Sequence, residues 1–503
     1  MTTLASYDAI PYESIPITDT HVATLAATVR LFGLQTAATN ACRVLELGCA
    51  EGGNLIPMAF YLPGSRFVGV DLSQKQIESG QAFIAQLGLE NIQLLHRDVA
   101  DGLDDLGEFD FIIAHGLYSW VPPAVREKIL EICARQLAPN GVAYISYNTL
   151  PGWRTRAMVR DMLLQHAQGV SAPRLRLMRA YQFIEQYLPA FQAQPGAEAK
   201  LVADELAYLR EAPPSYVYHE YLEDTNDPML FTDFMRQAQA AGLRYVAEVD
   251  LHTMLPGTLP EAARTPLADI ADPIALEQAM DFLRNRRFRR TLLARADAAT
   301  RHAPDMAVFG TLALYGDLSS EEEIDLASDQ GQDFITATGA RFSVRHPLAK
   351  AAVMLLAGRY PASIAFEELA RAAGAAVREY GDASLAEEME ALQTELFSLC
   401  AYRALGLTPM PEARAAEPTD PPRAHALVRL QARHEQPATG VRHTALTLDE
   451  QAARLLDLAD GSRDFAALVQ AMQSGLPEMA RDEVVARCEQ MLWTFARHGL
   501  LRG

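Results

Sequence analysis

Apolar residues follow two rhythms along the first half of the chain. Short runs of strand type, near residues 43–47, 66–71, 92–96, 109–114 and 142–147, are separated by stretches with helical spacing. Between the last two, Val125, Ile129, Ile132 and Leu137 form one helical face, opened by Pro122-Pro123 and closed by Pro139-Asn140-Gly141. Strands alternating with helices predict a parallel, doubly wound α/β sheet. The alternation stops after Tyr147. Residues 155–215 read as helices alone, and residues 231–250 then read as a helix, a glycine stop and a strand.

Later in the chain, residues 342–373 carry H-P-L-A-K-A-A-V-M-L-L-A and F-E-E-L-A-R-A-A, while residues 446–472 carry L-D-E-Q-A-A-R-L-L-D-L-A and F-A-A-L-V-Q-A-M. This loose repeat of an extended segment, a helix and an F-x-x-L helix predicts winged-helix-like units. Neither is strongly basic, which points to protein contact over DNA reading. Between them, residues 408–439 are rich in Pro, Ala and Arg and read as a linker.

The first strand runs into R-V-L-E-L-G-C-A-E-G-G-N, residues 43–54. A buried strand feeding a glycine-rich turn and then a helix brings backbone close to a nucleotide-like ligand. Gly48 and Gly52 permit the turn, because a Cβ there is expected to meet the strand or the ligand. A glycine turn alone also serves plain packing. The carboxylates narrow the reading: Glu46, Asp71 and Asp98 follow one another along three successive strand ends, at the sheet edge where ligands bind. Asp71 suits a ribose diol, whose two hydroxyls both donate to one carboxylate, and Asp98 suits an adenine amino group. A dehydrogenase turn cradles pyrophosphate and has no use for an acid at Glu46, whereas a cationic amino group does.

Glu46-x-Gly48-x-Ala50-x-Gly52, with Asp71 and Asp98, resembles the S-adenosylmethionine site of class I methyltransferases, with Ala50 in place of the middle glycine. H-G-L-Y-S-W-V-P, S-Y-N-T-L-P-G-W, H-E-Y-L-E-D-T-N-D-P and F-L-R-N-R-R-F-R-R narrow the resemblance to bacterial methyltransferases with a methyltransferase regulatory domain. That group includes rickettsial protein-lysine methyltransferases. The resemblance implies cofactor contacts at Glu46, Gly48, Cys49, Ala50, Gly52 and Asn54, then at Asp71, Leu72, Asp98, Val99 and His115. Tyr7 and Tyr12 are candidates for an aromatic lid over the cofactor, with plain packing as the alternative.

The implied fold is a Rossmann-like, doubly wound class I methyltransferase sheet with a helical insertion, an α+β middle domain and a winged-helix-like C-terminal domain. In residue numbers, 1–150 is the S-adenosylmethionine-binding core and 151–225 the insertion, a possible dimerisation region. Residues 226–310 complete the sheet and form the regulatory region, 311–407 are the middle domain, 408–439 the linker and 440–503 the C-terminal domain.

Loops after the fourth and fifth strands supply His115, Tyr118, Trp120, Tyr147, Asn148 and Trp153, the candidate catalytic and acceptor-pocket residues. Electron-rich rings stabilise a sulfonium or alkylammonium by about 0.5–2 kcal/mol each. A lysine acceptor must shed a proton, since about one side chain in 2,500 is neutral at pH 7, a penalty near 4 to 5 kcal/mol. A hydroxyl acceptor needs a positioned base more strongly, and His115 is the best placed. Each residue also has a packing reading, with Trp120 and Trp153 as core anchors and His115 as a satisfied buried histidine. Residues 216–228 hold His219, Glu220, Glu223 and Asp224 but no second histidine at ligand spacing, so no metal is expected. The basic run 285–290 reads as a solvated helix face or as a partner for that acidic segment.

A formal charge of −20 over 503 residues argues against nucleic acid as substrate. Five cysteines without a CxxC pair fit a reducing cytoplasm. The N-terminus lacks a leader pattern, and no apolar run reaches the roughly 18 residues of a membrane span, so a soluble, membrane-free chain is expected. The function expected is methyl transfer from S-adenosylmethionine to lysine side chains of a protein. A small-molecule N- or O-methyltransferase and a non-catalytic cofactor-sensing module are the rivals. Characterised relatives in the resembled group methylate a bacterial surface protein, which implies a protein partner of that kind. A homodimer is also implied.

Overall fold

The computed structural model of the protein describes residues 9–10, 14–378 and 385–502. Tyr7 and Tyr12 lie outside the described residues. Seven strands form one sheet: β1 (Arg43–Leu47), β2 (Arg66–Asp71), β3 (Ile92–His96), β4 (Phe109–Ala114), β5 (Leu137–Asn148), β6 (Leu243–Glu248) and β7 (Phe288–Arg295). Their order is β3-β2-β1-β4-β5-β7-β6, parallel through β5, with β7 antiparallel to both its neighbours. Four of the five β1 positions are buried, as in a parallel strand covered on both faces.

Helices α1 (Val22–Leu31), α2 (Leu55–Tyr61), α3 (Gln74–Leu87) and α4 (Pro123–Gln136) accompany the parallel half. Local chemistry sets their ends. Ser73 caps α3 by accepting from the Gln76 amide, Gly88 closes it at φ +65°, and α4 opens on proline. Helices α5 (Trp153–His166), α6 (Pro173–Gln192), α7 (Ala197–Glu211) and α8 (Pro214–Tyr221) then pack around their own core of Val159, Leu163, Ile184, Leu206 and Val217. The chain returns through α9 (Phe231–Ala240), β6, α10 (Pro273–Arg284) and β7.

The sheet's two faces carry separate cores. Val44, Phe67, Phe111, Ile113 and Tyr144 face α1, and this core continues into residues 309–407. Leu45, Leu47, Ile112, Ile145 and Tyr147 face Phe231 and Phe234 of α9. Strand alternation therefore decides which side chains of β5 reach which side.

Residues 332–344 form a hairpin, followed by packed helices Pro347–Arg359 and Phe366–Arg378. The C-terminal unit holds helices Ala426–Arg433, Glu450–Leu458, Phe465–Gln473 and Arg481–Arg497 with a small hairpin pairing Ala438–Thr439 to Ala445–Leu446. The expected linker, 408–439, thus ends in structure. Leu427 and Val428 of its helix are fully buried, and eight residues are too few for helical spacing to stand out against the surrounding Pro, Ala and Arg.

The basic run does not meet residues 216–228. Arg289 is fully buried, bonded to Glu248 (2.7 Å), Asp281 (2.8 Å) and Glu277 (3.0 Å), and lies 3.7 Å over the Phe231 ring. Arg286 also bonds Glu248 (2.8 Å). An arginine driven into the core needs carboxylates at the same depth, and β6 and α10 supply them. In the acidic segment, His219 pairs with Glu223 (3.0 Å) and meets the Ile10 carbonyl (2.6 Å), while Asp227 pairs with Arg126 (2.6 Å). No helix among the described residues is long and apolar enough to cross a membrane.

Candidate active site

Three strand ends converge at the cofactor side. After β1, the Gly48 and Cys49 amides both donate to the Val70 carbonyl of β2 (2.8 and 3.1 Å), which bends the turn over that strand. Gly48, Ala50 and Gly52 all take positive φ, at +76°, +50° and +79°. Glycine adopts this freely. Ala50 does so at a cost of about 1–2 kcal/mol, which the turn's hydrogen bonds offset. At Gly48 a Cβ would meet no strand atom closer than an ordinary contact, Leu117 at 3.5 Å, and the positive φ is what favours glycine there. The crowded position is Gly53, which the sequence did not single out. A Cβ there would lie 1.9 Å from the Ser14 carbonyl, and its amide donates to the Ser14 hydroxyl (2.9 Å).

Asp71 ties the turn to β2. Its two oxygens accept from the Ala50 and Ser73 amides, both at 2.8 Å, and each keeps a lone pair for a ribose hydroxyl. Burial raises its pKa. The next residue, Leu72, exposes 44% of its surface beside this carboxylate. Asp98 is exposed and caps the short turn 99–101 by accepting from the Ala100 amide (2.8 Å), with Val99 buried beneath.

Glu46 is buried on the α1 face. One oxygen accepts from the Asn54 side chain (2.8 Å), and the other is buried with no partner among the described residues. Burial raises this carboxyl to about pKa 8. Asn54, expected at the cofactor, has its amide engaged elsewhere: it also donates to Thr20 (2.9 Å), accepts from the Ile17 amide (2.9 Å) and lies 2.7 Å from His443 Nε2. Asn54 holds Glu46 in place. Cys49 turns its buried sulfur toward Gly69 of β2, leaving its backbone in the turn.

The loops expected to face the acceptor lie beyond β4 and β5. His115 Nδ1 is 2.9 Å from the Tyr144 hydroxyl, and the two rings stack 5.8 Å apart. Burial, and then the charge of Arg290, lowers His115 to a pKa of about 4. The loop after β4 is clamped to β5, with the Gly116 amide donating to Ser146 Oγ (2.8 Å) and the Asn148 amide to Ser119 Oγ (2.9 Å). Asn148 also donates to Asn226 (3.1 Å). Arg290 pairs with Asp19 (2.9 Å) and Asp250 (2.5 Å), and both acids also meet Arg403 from the middle domain.

Two expected catalytic residues belong to the core. Tyr118 is fully buried and donates to Gln237 of α9 (3.1 Å). Tyr147 stacks on Phe234 at 4.1 Å and bonds Thr291 (3.1 Å). Both face α9: Tyr118 meets Phe234 and Gln237, and Tyr147 points that way because it stands an odd number of residues from Tyr144 on β5. Trp120 and Trp153 meet edge to face at 6.4 Å, with Trp153 also beside Tyr221 of the insertion. They form a buried joint between sheet and insertion. Tyr144, Ser146 and Arg290 were missed by sequence reasoning, although counting in twos along β5 from Val142 finds the first two.

An orphaned buried carboxylate oxygen, a turn of positive-φ residues and an acid with free lone pairs fit S-adenosylmethionine. Fold and site together define a class I S-adenosylmethionine-dependent methyltransferase. Residues 44–141 match the model of a methyltransferase domain, residues 213–295 that of a predicted methyltransferase regulatory domain, and residues 420–478 that of a PKMT C-terminal winged helix domain. The chain is 32% identical to an uncharacterized protein of Rickettsia prowazekii over 93% of its own length and 85% of the relative's. A second uncharacterized protein of that organism is 34% identical over 46% of this chain and 94% of its own. The structure of PKMT2 from Rickettsia typhi, also solved in complex with AdoHcy, superposes with a TM-score of 0.88 at 26% identity, covering 98% of this chain and 100% of that one. The protein belongs to the rickettsial-type class I methyltransferases that carry a methyltransferase regulatory domain.

Proposed function

We propose that this methyltransferase modifies lysine side chains of a protein substrate. The observation that carries the reading is whole-length likeness to PKMT2 from Rickettsia typhi, at a TM-score of 0.88 over 98% of this chain. An amine acceptor is supported by His115, whose pKa burial lowers to about 4, which makes it a poor general base. Hydroxyl methylation depends on a base near pH 7, whereas an amine becomes a nucleophile by losing a proton as it enters a desolvated site. His115 and Tyr144 instead present a hydrogen-bonding pair that orients the incoming amine.

S-adenosylmethionine supplies an electrophilic methyl group. Asp71 holds the ribose, Glu46 the amino group, Asp98 and Leu72 the adenine, and the backbone of residues 48–52 the methionine end. Whole-length likeness to PKMT2 supports a protein substrate, and a bacterial surface protein is the class that the family resemblance implies. The five described cysteines are free and buried, which supports a reducing cytoplasm. The insertion exposes Leu175, Met178, Leu201 and Tyr208 on α6 and α7, which supports a homodimer through that face.

Incubating the protein with radiolabelled S-adenosylmethionine and lysate of the source cell tests the substrate class. Base-stable label in discrete protein bands is expected. Label confined to small molecules would move the assignment to a metabolite methyltransferase, and no label despite cofactor binding would leave a sensor.

A further inference from the structure

The acid at the end of β1 is held by residues far away in sequence. Asn54, which bonds Glu46, has its carbonyl oxygen 2.7 Å from Nε2 of His443, in the turn of the C-terminal hairpin. His443 is 1% exposed and sits at φ +57°, a left-handed backbone that costs a non-glycine residue about 1–2 kcal/mol. Its carbonyl accepts from Thr18 (2.9 Å), and its ring lies 5.4 Å from that of His21. Asn54 Oδ1, which also takes the Ile17 N–H, can only accept, so His443 carries its proton on Nε2 and donates to it. The Asn54 amide is thereby oriented with its NH2 toward Glu46, leaving the second Glu46 oxygen free.

We infer that His443 is a positioning residue for S-adenosylmethionine: the C-terminal domain reaches the cofactor site through His443 and Asn54 and sets the Glu46 carboxylate that receives the cofactor's amino group. The inference rests on the role of Glu46 proposed above. Its consequence is selective. Losing His443 removes one N–H donor to Asn54 Oδ1 and leaves the Ile17 amide (2.9 Å) to hold it, which loosens the amide that sets Glu46 and weakens ligands that carry the amino acid end. Ligands bound through adenine and ribose alone, at Asp71 and Asp98, do not sense it. The C-terminal unit is then part of cofactor recognition as well as a candidate docking module.

The test is calorimetric titration of the full chain with S-adenosylhomocysteine and with 5′-methylthioadenosine, which lacks the amino acid end. His443→Ala is expected to weaken S-adenosylhomocysteine about tenfold, the scale of one lost hydrogen bond to a buried polar group, and methylthioadenosine less than about twofold. His443→Gln, whose amide replaces the donor, is expected to recover most of the loss and guards against a variant that merely unfolds. Equal weakening of both ligands, or no weakening of either, overturns the inference. Glu46→Gln in parallel separates the two readings: if it spares S-adenosylhomocysteine, the role of Glu46 falls; if it does not while His443→Ala does, only the role of His443 falls.

Discussion

The cofactor side and the acceptor side of this sheet are built in different ways. Where β1, β2 and β3 end, the chemistry comes from short local signals: an acid, a turn that needs positive φ, and one acid at or just past each following strand. Asp71 illustrates it, since both of its amide donors come from the adjoining turns. Where β4 and β5 end, rings and polar tips are abundant, and four of the six expected residues, Tyr118, Trp120, Tyr147 and Trp153, serve packing. Tyr144 and Tyr147 are three residues apart on one strand, yet one meets His115 and the other stacks on Phe234. Composition locates an acceptor region. Strand parity selects its members.

The sharpest way to break this contrast is Asp71→Ala. On the proposed ribose role this removes an acceptor for two hydroxyls, so cofactor affinity should drop about 100-fold or more while helix content by circular dichroism is unchanged. Unaltered affinity would refute the ribose role.

Glu46 offers a test by pH. Its folded pKa of about 8 exceeds the ordinary 4.5, so between those values the folded protein keeps a proton that the unfolded chain has released. Stability from this group is therefore full below pH 4.5 and is lost as pH rises through about 8. Thermal melts of the ligand-free protein should show this decline, Glu46→Gln should flatten it, and that variant should bind S-adenosylhomocysteine about tenfold more weakly.

Two tyrosines sharpen the acceptor side. Tyr144→Phe is expected to lower kcat about tenfold through loss of the His115 contact, with cofactor affinity unchanged by titration. Tyr147→Phe should leave kcat near wild type and cost about 1 kcal/mol in urea unfolding, since Thr291 retains its bond to Glu248 (2.8 Å). A reversed ranking of kcat would invert the assignment of the two faces of β5.

Much of the catalytic sheet was legible because its signals are local. Strand ends at Asp71, His96 and Ala114, the start of α4 and the helix and strand at 231–248 follow from short apolar runs, whereas α4 ends at Gln136 and Leu137, expected on its face, opens β5, because Pro139-Asn140-Gly141 lies within that strand. The helix at residues 426–433 was hidden, being too short to show a period. The partners of Arg289 were hidden as well. Glu248, Glu277 and Asp281 are spread over 34 positions of sequence and meet only when β6, β7 and α10 pack.

The sequence by itself determined the class of ligand, because a glycine-rich turn at residues 48–52 and an acid along each of three strand ends are properties of short segments. Tertiary structure decided how that ligand's acid is held and which rings face the acceptor. His443 reaches Asn54 across 389 positions and Arg403 reaches Asp19 across 384. Contacts at such separation depend on how whole domains pack, and no local pattern encodes them.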